Sequence, residues 1–123
     1  RKIGTHVYYH APTSGQRTAI AALDDGAEWL TTVRSEAGDV GAQVSDLLGL
    51  PKPEGGTFLF LDVHARLDER GLLGFLEDCY EVGVLVAPGH SCGEGYAEWV
   101  RLSFTAAPPS EVLEAARLLR SLT

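Results

Sequence analysis

Residues 89–93 read Gly89-His90-Ser91-Cys92-Gly93 directly after the apolar run 84–87, which spells the G-x-S-x-G nucleophile-elbow pattern. Such an elbow turns sharply from a strand into a helix and presents its serine beside an oxyanion hole. The companions it needs are missing. Glu94-Gly95-Tyr96 leads toward a strand-like alternation, and none of the four histidines (His6, His10, His64, His90) follows Ser91 in the chain. His90 is the immediate neighbour of Ser91, and adjacent side chains on a tight turn point apart. Cys92 as a nucleophile meets the same shortage of a positioned base. The pentapeptide is therefore read as a glycine-rich turn, and no catalytic residue is assigned within the chain.

A metal site fares no better. His6 and His10 lie in an extended-looking segment, where a four-residue separation puts them about 13 Å apart. His90 and Cys92 could share a face, but two ligands fall short of the roughly four that a structural site uses. All four histidines are read as surface groups, with no metal expected.

Alternation places Arg101 on a strand face opposite the core. It sits in Trp99-Val100-Arg101-Leu102-Ser103, where Val100, Leu102 and Phe104 alternate onto one face and Trp99, Arg101 and Ser103 onto the other. A strand of period two buries the first set and presents the second. The ordinary role of such an arginine is a surface ion pair.

The elements that would position Arg101 can be read from periodicity and punctuation. Residues 13–26 suggest a short helix, capped by Ser14 and ended by Gly26. Residues 27–48 repeat Leu30, Val33, Ala37, Val40, Val44 and Leu47 at helical spacing, interrupted by Gly38 and Gly41. Gly-Leu-Pro-Lys-Pro-Glu-Gly-Gly closes that helix and marks the clearest boundary in the chain. Beyond it, 57–63 reads as a buried strand, and a helix capped by Asp68 runs to Gly83. Residues 84–87 and 97–106 read as two more strands, and a final amphipathic helix is capped by Ser110. The second half is thus β-α-β-β-α. The expected fold class is α+β: a small mixed or antiparallel three-stranded sheet, helices packed on one face, and a long interdomain-type helix before it.

Composition narrows the partners. The 123 residues are 45% hydrophobic and 22% charged, with a net charge of −7. Scattered basic residues in an acidic chain argue against nucleic-acid binding. No apolar run approaches the roughly eighteen residues of a membrane helix, so no membrane partner is expected. Two cysteines make no disulfide framework, which suggests a reducing, cytoplasmic setting. The chain has no methionine and starts at Arg1, so either a leading Met was removed or this is a piece of a longer protein, and the motifs below favour the piece.

Three ordered blocks resemble the C-terminal part of fold-type I, pyridoxal-phosphate-dependent aminotransferases of class I/II. They are His10 through Leu30 with its Gln16 and alanine-rich run, Pro53-Glu54-Gly55-Gly56-Thr57-Phe58 through Val63, and Tyr80 through Phe104 with its Ala87-Pro88-Gly89 turn and Arg101-Leu102-Ser103-Phe104 end. The resemblance covers essentially the whole chain. It implies residues 1–26 as the tail end of the large-domain region, 27–50 as the connecting helix and 51–123 as the small domain, packed as one compact unit. Pro88-Gly89 becomes the turn between two small-domain strands at the mouth of an active site, with Cys92 standing where the family commonly has phenylalanine. Arg101 becomes the group that binds the α-carboxylate of an amino-acid or 2-oxo-acid substrate. Tyr8, Tyr9 and His10 would lie near the cofactor at a dimer boundary, either reaching a neighbouring active site or packing between domains.

The resemblance also implies an absence. The family's cofactor-linking lysine lies in a motif upstream of the matched blocks, whereas this chain has only Lys2 and Lys52. The expectation is the substrate-gripping portion of a homodimeric enzyme, inactive alone, whose pyridoxal phosphate is bound mainly by other residues. Decarboxylating, cyclising and β-eliminating relatives share this domain. A non-catalytic α+β domain binding a small anion or a protein partner through the Arg101 face is the reading from another class.

Overall fold

The computed structural model describes Gly4 and residues 9–123. Lys2, His6 and Tyr8 lie outside the described residues. The chain divides into two compact units, Arg1–Ser35 and Glu36–Thr123.

In the first unit, helix α1 (Thr13–Asp25) starts after Pro12, whose φ of −53° already matches a helix, and no side chain caps it. Ser14, expected as the cap, lies inside the first turn, and its carbonyl accepts a 3.0 Å bond from Thr18 Oγ1. Pro12 itself occupies the cap position: its fixed φ suits the helix start, and its carbonyl accepts the first helical bond from Gln16 N–H at 3.0 Å. Gly26 separates α1 from α2 (Ala27–Leu48) by a single residue. No residue of α1 is buried, and Trp29 and Leu30 at the start of α2 are 69% and 46% exposed.

The second unit holds the core. Its part of α2 buries Val40, Gly41, Val44 and Ser45. Gly41, a weak helix former, has a packing reason: a Cβ there would lie 3.0 Å from Pro53 Cγ and 3.2 Å from the Phe104 ring. The helix ends at Gly49, whose φ of +68° suits glycine, and Leu50 N–H then bonds the Ser45 carbonyl at 2.9 Å.

Strands β1 (Phe58–Asp62), β2 (Ala87–Pro88) and β3 (Trp99–Ser103) form one antiparallel sheet in the order β1-β3-β2. Along β1 and β3, burial alternates strictly. Leu59, Leu61, Val100 and Leu102 turn inward to meet Phe75 and Cys79 of α3 (Gly71–Glu81), Val112, Ala116 and Leu119 of α4 (Pro109–Leu122), and Val40 and Val44 of α2. Helices therefore cover one face of the sheet and leave the other open, the α+β arrangement anticipated from the sequence.

Four local readings change. Segment 57–63 is a half-buried strand, with Phe58 48% exposed, because helices pack on one face alone. The second strand is confined to two residues rather than 84–87. Val84 is buried, yet its N–H bonds the Cys79 carbonyl at 2.9 Å and belongs to the close of α3, where Gly83 adopts a φ of +85°. Asp68 caps no helix turn; its carboxylate accepts from Arg70 N–H at 2.8 Å, in the loop before α3. Ser110 also lies within its helix, since α4 starts at Pro109 after Pro108.

Candidate functional site

The antiparallel register decides what surrounds Arg101. Phe58 faces Ser103, Phe60 faces Arg101 and Asp62 faces Trp99 across β1 and β3, while Ala87 of β2 faces Arg101 from the other side. Arg101 is thus on the central strand, on the face opposite the core. Its guanidinium carbon lies 4.4 Å from the centroid of the Phe58 ring. Nη1 points to Cys92 Sγ at 3.7 Å, a long contact to a weak acceptor.

Beside it stands an aromatic group. The Phe60 and Tyr96 rings are 5.1 Å apart, and Tyr96 meets Trp99 edge-on at 5.9 Å. Such tilted and T-shaped pairs suit the ring quadrupoles.

Among the described residues, no carboxylate lies within 4 Å of Arg101. The ion pairs present are His64–Glu98, Arg70 with Asp68 and Asp78, and Arg117–Glu114. In a chain with 17 acidic residues against 10 basic ones, an arginine without an acidic neighbour is the less expected state. A cleft of about 290 Å³ lies elsewhere, lined by residues such as Val84, Val86, Leu102, Val112 and Leu119. Arg101 faces an open surface instead.

The turn joining β2 to β3 brings Cys92 to the site. It contains two short 3₁₀ turns, Gly89–Cys92 and Glu94–Tyr96, so no helix follows Ser91. Ser91 Oγ donates to the Pro88 carbonyl at 2.8 Å and lies 3.7 Å from Cys92 Sγ; no histidine among the described residues engages it. The elbow geometry is absent. Gly93, with φ of +145° and ψ of 156°, occupies backbone space that only glycine enters readily.

The remaining candidates stay apart. His64 Nδ1 pairs with Glu98 at 2.8 Å, and His10 Nδ1 lies 2.9 Å from the Ala11 carbonyl. His90 and Tyr9 are exposed. No group of three or more metal-ligating side chains occurs among the described residues. Lys52 is exposed between Pro51 and Pro53, and its neighbour Pro53 packs toward Gly41 rather than toward Arg101.

Phe58 and the Phe60–Tyr96–Trp99 group are the features that sequence reasoning missed. Outward alternation from Leu59 and Leu61 would have put Phe58 and Phe60 on the Arg101 face. The register that sets which of them meets the guanidinium has no local signal.

The family model for aminotransferase class I and II matches residues 1–119. The chain belongs to the class I and II aminotransferases. No curated protein matches it. Among solved structures, this aminotransferase chain is similar to LysN, the α-aminoadipate aminotransferase of Thermus thermophilus, crystallised with N-(5'-phosphopyridoxyl)-L-leucine. The TM-score is 0.77 at 21% identity, over 98% of this chain and 33% of that one. At that identity the likeness establishes a common fold. This aminotransferase segment accordingly spans about a third of the length of the enzyme it matches.

Proposed function

We propose that the chain is the C-terminal, small-domain portion of a pyridoxal-phosphate-dependent transaminase, and that Arg101 binds the α-carboxylate of its amino-acid and 2-oxo-acid substrates. The observation that supports this most is the guanidinium on the open sheet face, away from the core and without an acidic partner among the described residues. Two parallel N–H donors can grip a carboxylate there, and that grip restricts rotation of the substrate about Cα. The family match and the phosphopyridoxyl compound named for the LysN structure support the choice of cofactor and substrate class.

The described residues do not themselves fit pyridoxal phosphate. Lys52 is held between two prolines on the boundary turn, and among the described residues no lysine stands on the open sheet face. In this reading the covalent anchor and the phosphate cradle belong to other parts of the complete enzyme. This portion supplies substrate grip, and by itself it does not transaminate.

Arg101→Lys in the complete enzyme tests the assignment. The expected result is a rise of about tenfold or more in KM for amino-acid and oxo-acid substrates, reflecting loss of the bidentate grip. Pyridoxal phosphate affinity should stay within about twofold, since a carboxylate-binding side chain contributes little to cofactor binding. Unchanged substrate KM would remove Arg101 from the site.

A further inference from the structure

We propose that Phe58 is a positioning residue for Arg101: its ring holds the guanidinium in place while leaving the N–H donors available to a substrate carboxylate. The proposal rests on the reading of Arg101 given above.

Register gives the first reason. Arg101 is directly opposite Phe60, and Phe58 is its diagonal neighbour on the same face, opposite Ser103. A diagonal pair is separated by about 7–8 Å between Cα atoms, so two side chains meet there only if long ones lean toward each other. Arg101 leans toward Phe58, because the direct neighbour is already engaged: the Phe60 ring packs on Tyr96, which packs on Trp99. The Phe58 ring lies 4.4 Å from the guanidinium carbon.

Chemistry gives the second reason. A ring face attracts a cation through its quadrupole and accepts no strong hydrogen bond. A carboxylate in the same place would also hold the guanidinium, but it would neutralise the charge and engage the very donors that must reach the substrate. The second contact, Cys92 Sγ at 3.7 Å from Nη1, is similarly weak. The long, flexible arginine stem is therefore restrained by contacts that do not compete with the ligand.

Exposure gives the third. Phe58 is 48% exposed on the sheet face that the helices leave bare, and the core cluster does not include it. Filling the core is therefore not what Phe58 does.

The test is a double-mutant cycle in the complete pyridoxal-phosphate enzyme carrying this chain, with KM and kcat measured separately. Phe58→Ala should raise KM for both the amino acid and the oxo acid by about two- to fivefold, the range for an exposed cation–π contact, with kcat and pyridoxal phosphate affinity unchanged. Phe58→Tyr, which keeps the ring, should restore KM, whereas Phe58→Leu should not. In the Arg101→Lys background, Phe58→Ala should add little. Full activity of Phe58→Leu, or an equal KM rise from Phe58→Ala whether residue 101 is Arg or Lys, would overturn the positioning role while leaving the Arg101 assignment standing. An Arg101→Lys enzyme with unaltered KM would overturn both. Should the alanine variant fold poorly, the Tyr and Leu variants decide the question, each matched to wild type by its thermal midpoint.

Discussion

Gly89 lies directly against the backbone of Trp99: a Cβ on Gly89 would fall 2.6 Å from the Trp99 carbonyl oxygen and 2.5 Å from that of Tyr96. The turn that delivers Cys92 to the Arg101 face thus folds back over a position that has room for hydrogen alone. Carbonyl oxygens cannot yield as the end of a flexible side chain can. Gly89→Ala is expected to lower stability by about 2–3 kcal/mol, the upper part of the overpacking range. Chemical denaturation measures this, and a loss below about 0.5 kcal/mol, the level of an ordinary surface change, would show that the close approach is not real.

The two thiols should differ sharply in reactivity. Cys79 is fully buried between α3 and the sheet, and burial, with the nearby Asp78 charge adding to it, pushes its thiol up to about 11. Cys92 is exposed. Because the thiolate is the nucleophile, an aromatic disulfide reagent near pH 8 should titrate one thiol quickly and the second only after denaturation. Cys92→Ser should abolish the fast phase. Two fast thiols in the folded chain would contradict the placement of Cys79.

Arg70 makes a small contribution to the acid limb of stability. Its side chain lies over Gly74 and meets Asp78 through two bonds of 3.0 and 2.7 Å, while Nε bonds Asp68 at 2.9 Å. The side-chain bonds from Arg70 hold both carboxyls below the usual 3.8. A carboxyl with a depressed folded value binds its proton less readily when folded than when unfolded. Its contribution is therefore present above the unfolded value and disappears as pH falls through the lowered one. Arg70→Met should be less stable than wild type near neutrality, and the two should converge as pH falls below the usual carboxylate range and both carboxyls take up protons. The effect should be small and salt-sensitive, as these groups face water. A gap that persists undiminished in acid would point to packing rather than charge.

Ser45 is fully buried on α2, and its hydroxyl has no hydrogen-bond partner among the described residues. A buried unpaired hydroxyl is costly, and alanine is the better helix former. Ser45→Ala should therefore raise stability by about 0.5–1 kcal/mol. Loss of stability in that variant would reveal a bond that Ser45 makes to a group outside the described residues.

Much of the fold could be read from local pattern. Alternation through Trp99–Ser103 put Arg101 outward and Val100 and Leu102 inward, because a strand has a period of two whatever it pairs with. Gly49 and Gly83 marked helix ends since a left-handed backbone is a property of the residue itself. The apolar repeat through Val40 and Val44 identified the docked face of α2, although the same repeat continues into Leu30, which is largely exposed. Helix starts were less legible. Ser14, Asp68 and Ser110 all look like caps, but Pro12 and Pro108 preset two of the helices, and Asp68 bonds the loop instead.

The surroundings of Arg101 depended on long-range pairing. Residue order says that Phe58 and Phe60 share a face, but only the β1–β3 register puts Phe60 opposite Arg101 and leaves Phe58 as the ring it reaches. The same holds for Gly89, whose need for a bare Cα arises from Trp99, and for Gly41, pressed by Phe104. Local conformational preference acts over a few bonds, so it decides which way a side chain points. Which group it then meets is settled by strand register and helix docking, and these depend on burial summed over the whole core.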